Sequence, residues 1–221
     1  RWNYSRPRRH MKVVSLFDLS GNIVKPWADA GYDCWIVDIQ HKNYLEVSNE
    51  EGCIHYVPWD LSTPWLPPFD RDEIAFVAAA PPCDHLSVSG ARWMRGKGLR
   101  KLSHAIQLFA TAVEFCEWSK APYFIENPVS TISTYWRKPD YKFHPYQYSM
   151  FDATDHYSKD TCLWVGGGFV MPDKSQADLG EPDDRIHKAA PGPERANFRS
   201  KTPHGFAKAV FLANDPNKPL D

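Results

Sequence analysis

Phe76-Val77-Ala78-Ala79-Ala80-Pro81-Pro82-Cys83-Asp84-His85-Leu86-Ser87 is an apolar run that stops at a double proline and presents one cysteine beyond it. The run reads as a buried strand. The two prolines fix φ at about −65° and remove two backbone donors, so the strand ends there and the loop is stiff. Cys83 is then a thiol held at the carboxyl end of a strand, where open α/β sheets keep their ligand sites. It is a candidate nucleophile; the alternative is one more small buried hydrophobe.

Working outward from this strand, the same punctuation recurs. Residues 12–17 form a β-branched apolar run that breaks at Asp18-Leu19-Ser20-Gly21-Asn22, and a helix-like segment leads on to Gly31. A second buried strand, 34–39, carries Asp38 near its end, which completes a βαβ unit. An acid about 20 residues beyond such a turn suits ribose hydroxyls, although the full GxGxxG string is absent. An acid after a strand also suits a turn or a cap. A third strand is expected over 55–61, ending at Asp60. The fifth, 122–125, ends at Glu126-Asn127-Pro128 and repeats the geometry of Cys83, so two reactive groups share one rim.

Between these strands the chain changes character. Residues 88–101 form a basic, glycine-punctuated loop with Arg92, Trp93, Arg95, Lys97, Arg100 and Lys101. Such a loop tracks phosphates while its tryptophan stacks, or is simply solvated. Ser103 is expected to open a helix whose apolar residues Ile106, Phe109, Ala112, Val113 and Cys116 recur at three- and four-residue spacing. Residues 130–160 are aromatic and irregular, 161–165 form a strand, and 169–197 compose a long loop or very small subdomain. A final short helix over 206–212 is expected, capped by Thr202 with Pro203 at its first position.

Composition limits the function classes. With 221 residues, 43% hydrophobic and 14% aromatic, the chain is about one domain with ample core. A formal net charge of −1 gives no global attraction for a polyanion, so a nucleic-acid surface must be local. Residues 1–11 form a basic arm, functional or vector-derived, that ends at Met11, a residue suited to be the initiator. Five cysteines, at 34, 53, 83, 116 and 162, form no CxxC pair, which argues against a disulfide framework and a clustered zinc site. Scattered His144, His156 and Cys162 do not suggest a metal centre either. No apolar run approaches the roughly 20 residues of a membrane span. A soluble cytoplasmic protein, in a bacterial or phage-infected cell, is the expectation.

The ordered set of motifs resembles that of the DNA cytosine-5 methyltransferases, especially small phage-type members. It comprises Phe17-Asp18-Leu19-Ser20-Gly21, the acid Asp38, Asp60-Leu61, Pro81-Pro82-Cys83 and Glu126-Asn127-Pro128. The Lys159-Asp160-Thr161-Cys162-Leu163-Trp164 strand and the Ser200-Lys201-Thr202-Pro203-His204-Gly205-Phe206-Ala207 helix follow. The resemblance spans residues 12–212. It implies a Rossmann-like S-adenosylmethionine-dependent methyltransferase fold: a mostly parallel seven-stranded sheet with helices on both faces. By the same resemblance Phe17, Asp18, Ser20 and Gly21 line the methionine end of the cofactor. Asp38 and Ile39 hold its ribose and adenine, Asp60 and Leu61 face the adenine edge, and Pro81, Asn197, Ser200 and Thr202 pack nearby.

The implied chemistry assigns Cys83 as nucleophile at carbon 6 of cytosine and Glu126 as the group that protonates or hydrogen-bonds N3, with Asn127 holding the carboxylate or its loop. Ser87, Arg92, Trp93, Arg95 and Lys159 are then expected at the acceptor. The acceptor would be DNA, duplex with a flipped cytosine or single-stranded, and the protein a monomer. On this reading 12–165 is the catalytic core, 166–197 a reduced recognition segment, and 198–221 the part that completes the core. Four features depart from the family: a thinned glycine loop, the proline after Glu126-Asn127, the missing arginine pair near Gln147-Tyr148-Ser149, and the small recognition segment. Either Lys159 or Arg137 substitutes for the arginines, or the active site is altered. The small segment points to short sequence specificity or an acceptor other than duplex DNA.

Overall fold

Consecutive side chains along a pleated strand face opposite ways. Val13 and Val14, or Phe76 and Val77, therefore enter two different cores, and all four are buried. The computed structural model describes residues 7–48, 50–89, 94–190, 192 and 194–218. It is an α/β protein, Rossmann-like in general arrangement. Its strands are β1 (Lys12–Leu16), β2 (Asp33–Asp38), β3 (Leu45–Ser48), β4 (Cys53–Pro58), β5 (Ile74–Ala79), β6 (Tyr123–Asn127), β7 (Tyr141–Phe143) and β8 (Thr161–Gly166). They form one sheet in the order β3-β4-β2-β1-β5-β6-β8-β7. The five strands from β4 to β6 run parallel, while β3 and β8 are antiparallel to their neighbours.

The helices are α1 (Lys25–Asp29), α2 (Met94–Lys97), α3 (Leu99–Ser119), α4 (Ile132–Tyr135), α5 (Arg185–Lys188), α6 (Arg195–Ser200) and α7 (His204–Asn214). On one face Trp27 of α1 and Phe206 and Val210 of α7 pack with Val13, Ile36, Phe76 and Phe124. Trp27 stacks on Phe76 with 5.0 Å between ring centroids. On the other face Phe109, Ala112 and Cys116 of α3 meet Val14, Leu16, Val77 and Ile125. Each fully buried Val, Leu, Ile or Phe among them contributes about 1.5–3 kcal/mol. Among the described residues no helix is long and apolar enough to cross a membrane.

Several expectations are corrected. The sheet has eight strands rather than seven, because β3 and β7 form in stretches with weak apolar patterning; all four β3 residues are exposed. β4 ends at Pro58, not Asp60, since Asp60 turns the chain by accepting from the Ser62 amide at 2.9 Å. α3 starts at Leu99, four residues before Ser103, and absorbs Arg100 and Lys101 from the expected loop. α7 runs over His204–Asn214 with Pro203 at its cap position. Its first turn is satisfied by Asp155, which accepts from the Gly205 amide at 2.7 Å, so Thr202 is not the cap.

Candidate active site at the carboxyl rim

β5 and β6 are adjacent and parallel, so the loops that follow them leave the sheet at the same rim. Hydrogen bonds then join the two loops. Buried Asn127 donates from Nδ2 to the Pro81 carbonyl at 2.8 Å. The Val88 amide donates to Val129 O at 3.0 Å, and the Thr131 amide to Leu86 O at 2.9 Å. Ser87 bridges to Ser130. Within the first loop the amides of Leu86 and Ser87 both donate to the Cys83 carbonyl at 2.9 Å. The prolines end the strands, and these bonds fix Cys83 relative to Glu126. Of the two roles open to Asn127, the one observed is holding the loop.

Glu126 is paired. Lys159 Nζ lies 3.1 Å from its Oε1, and the two side chains are only 11% and 17% exposed, which separates this pair from a solvent-screened surface bridge. Arg137 instead donates to Asp140 and the Val165 carbonyl, so Lys159 is the cation that reaches Glu126. Burial, then the negative charges of Glu126 and Asp84, push the Cys83 thiol up to about 11, against the pull of Lys159 and Arg199. The resting sulfur is a protonated thiol inside a set of two anions and two cations. Three buried polar atoms at the end of β6 and in the loop after it, Asn127 Oδ1, Ser130 Oγ and Thr131 Oγ1, have no partner among the described residues. Buried polar groups of this kind are where a ligand or ordered water supplies the missing bond.

At the same rim, but with Cys83, Glu126, Asn127 and Lys159 off its wall, lies a cavity of about 410 Å³, where the strand order reverses between β1 and β5. Phe17, Asp18, Ser20, Ala78–80, Asn197, Ser200 and Thr202 are on its wall, with Ser15, Asn22, Glu194 and Lys201. Its turn is built by Asp18, whose Oδ1 accepts from the amides of Ser20 and Gly21, both at 2.8 Å, while Oδ2 accepts from Ser15 Oγ. Phe17 adopts a positive φ of 58° and Gly21 one of 71°. A left-handed non-glycine residue costs free energy and clusters at ligand sites. Asn22 Nδ2 donates to the Thr202 carbonyl and Asn197 Nδ2 to Gln40 Oε1, both at 3.0 Å, which seats the α6 segment against the first two strand ends.

The structure thus brings together Cys83, Glu126, Asn127 and Lys159, and separately Phe17, Asp18, Ser20, Asn197, Ser200 and Thr202. Gly21 is buried within the turn, not on the wall. Asp38 is buried, its Oδ1 accepts from the Gln40 amide at 2.7 Å, and burial raises its carboxyl. Ile39 is exposed. Asp60 is exposed and held below the usual carboxylate range by hydrogen bonds from Ser62. Leu61 is a core residue and Pro81 is buried in the tied loop. Ser87 is half-buried and Arg95 is exposed on α2. Arg92 and Trp93 lie outside the described residues. Arg199 was not singled out from the sequence; its only signal there is adjacency to the Ser-Lys-Thr-Pro motif. His144, His156 and Cys162 do not form a metal-ligating group among the described residues.

Compared with known proteins, the chain matches no protein-family model and no curated protein by sequence.

Proposed function

We propose that the chain transfers a methyl group from S-adenosylmethionine to carbon 5 of cytosine in DNA. The observation that carries the reading is Cys83, on the tied loop after β5, with a Lys159-paired Glu126 near the end of β6, at the same rim as a cavity at the reversal point of a Rossmann-like sheet.

The cavity residues suit the cofactor. A volume of about 410 Å³ falls within the range of small-molecule sites. Its wall combines an aromatic ring, Phe17, with the hydroxyls of Ser15, Ser20, Ser200 and Thr202 and the amides of Asn22 and Asn197. That mixture matches a molecule with an amino-acid head and a nucleoside tail. When bound, S-adenosylmethionine supplies an electrophilic methyl on sulfonium sulfur.

Carbon 5 of cytosine is a weak nucleophile, and Cys83 corrects this by adding at carbon 6. The carbon–sulfur bond forms as the thiol gives up its proton and the ring electrons move toward N3. N3 takes a proton in the same step, with Glu126 as carrier, so the thiol's loss balances the ring's gain. Lys159 holds the Glu126 carboxylate in place. Once carbon 5 is substituted, its proton leaves to a base, the carbon 6–sulfur bond breaks, and the N3 proton returns through Glu126 to restore the Cys83 thiol. The target base must be outside its stack for the thiol to reach it.

A second reading keeps the thiol chemistry on a cytosine nucleotide. It is favoured by the stretch 169–197, where the only helices among the described residues are α5 and the start of α6, too little to support an element in a DNA groove. Trapping with 5-fluorocytosine separates the two. A covalent adduct at Cys83 with fluorinated DNA, lost in Cys83→Ser while cofactor binding persists, is the expected result. An adduct with the fluorinated nucleotide alone transfers the assignment to the second reading, and full transfer activity in Cys83→Ser overturns both.

A further inference from the structure

The opposite rim of the sheet carries a second constellation. Register places Asp33, first in β2, beside Cys53, first in β4, and His55 two residues further along β4 on the same face. Ligand atoms of the three lie within 4.8 Å of one another. Asp33 Oδ1 is 2.6 Å from His55 Nε2, and Cys53 Sγ is 3.4 Å from that same nitrogen. The other ring nitrogen, Nδ1, is 2.6 Å from the Tyr44 hydroxyl. Lys12 Nζ donates to Asp33 Oδ2 at 2.6 Å, and Trp35 stacks on the imidazole with 3.9 Å between centroids.

Two ordinary explanations account for only part of this. An Asp–His ion pair explains one oxygen on Nε2 but not a sulfur on the same atom, since one ring nitrogen carries one proton. A Cys–His–Asp relay for nucleophilic catalysis uses both ring nitrogens, sulfur on one and carboxylate on the other. Here both face Nε2, and Tyr44 takes Nδ1. Sulfur and oxygen both approach Nε2, the sulfur also accepting from Ser48 Oγ at 3.3 Å, and a sulfur, a nitrogen and an oxygen so grouped form a donor set that an ion can gather.

We propose that Asp33, Cys53 and His55 bind a zinc ion through Oδ1, Sγ and Nε2 at the amino end of the β2–β4 pair. A mixed donor set of this kind suits Zn²⁺, and three protein ligands leave a fourth position open. Tetrahedral zinc at ordinary bond lengths needs ligand separations of about 3.4–3.6 Å. The sulfur–nitrogen pair is already there, and the carboxylate oxygen has to open by about 1 Å. The outer contacts are those that metal ligands need: Tyr44 on the far ring nitrogen and Lys12 on the far carboxylate oxygen. The bound ion cross-links β2 to β4 beside the exposed edge strand β3.

The test is titration of the full chain with zinc chloride against a chromophoric chelator, with cobalt(II) as a spectroscopic substitute. One ion per chain and a thiolate-to-cobalt charge-transfer band are expected for the natural sequence. Both persist in Cys83→Ser and are lost in Cys53→Ser and His55→Gln. Tyr44→Phe weakens binding by about 10–100-fold. A reading that needs no variant is protection: saturating zinc slows alkylation of Cys53 in the unmodified chain. Absence of stoichiometric binding, binding undiminished in Cys53→Ser, or alkylation of Cys53 unaffected by zinc each overturns the proposal.

Discussion

Each rim of the sheet sets a cysteine among charged partners, by different means. At the amino rim Cys53 lies inside β4, and strand register alone sets its distances to Asp33 and His55. At the carboxyl rim Cys83 lies beyond the end of β5, and its position relative to Glu126 is set by prolines and by cross-loop bonds such as that from Asn127 to Pro81. Register packs the three side chains within hydrogen-bonding range, so that an opening of about 1 Å at the Asp33 carboxylate makes room for an ion. Tied loops hold a thiol near a carboxylate at the ends of two adjacent strands. On the two proposals, the same residue type serves coordination on one rim and covalent chemistry on the other.

The largest expected effect tests whether the carboxyl rim is chemical at all. Glu126→Gln keeps the shape of the side chain but cannot carry a proton to N3, so methyl transfer to cytosine DNA falls by about 10²–10⁴-fold. The measurement is a single-turnover rate with labelled cofactor, alongside circular dichroism to show that the fold is intact. A rate within a few-fold of the natural sequence breaks the distinction between the rims.

Much of the carboxyl rim was legible in the sequence because proline writes strand ends directly. Pro81, Pro82 and Pro128 marked where two buried strands stop, and the residues beside them proved to be neighbours. Asp18 was legible as a turn residue for the same local reason: its acceptors serve amides two and three positions ahead. The amino rim was not legible. Cys53 and Asp33 become partners only through parallel pairing of two strands, and no local pattern reports register. β3 escaped notice because it has no buried face, and the α7 cap because Asp155 comes from a distant segment.

Asn127 supplies the next test, since the amino rim has no counterpart to its loop tie. Asn127→Ala removes a buried donor and strands the Pro81 carbonyl, at a cost of about 1–3 kcal/mol. Urea denaturation is expected to show a lower midpoint with unchanged slope. Transfer should fall as well, because the Cys83 loop loses a restraint. Unaltered stability together with unaltered transfer would mean that the Val88 and Thr131 backbone bonds suffice to hold the two loops.

The smallest effect is a shift in reactivity, and it reads the charges directly. Thiolate, not thiol, reacts with iodoacetamide, so alkylation of Cys83 in the free protein should climb with pH toward a midpoint of about 11. After burial, Glu126 and Asp84 raise that midpoint, and Lys159 and Arg199 lower it. Removing an anion favours the thiolate, so Glu126→Gln moves the curve to lower pH. Removing a cation disfavours it, so Lys159→Ala moves the curve to higher pH. Peptide mapping separates the sites, and the charges that act on Cys53 are Glu46 and Asp33, so its curve stays in place in both variants. Opposite shifts at Cys83 with none at Cys53 show that Glu126 and Lys159 act on one sulfur through charge. Shifts of the same sign would show instead that breaking the ion pair opens the loop to solvent, and the electrostatic coupling of thiol and carboxylate would have to be abandoned.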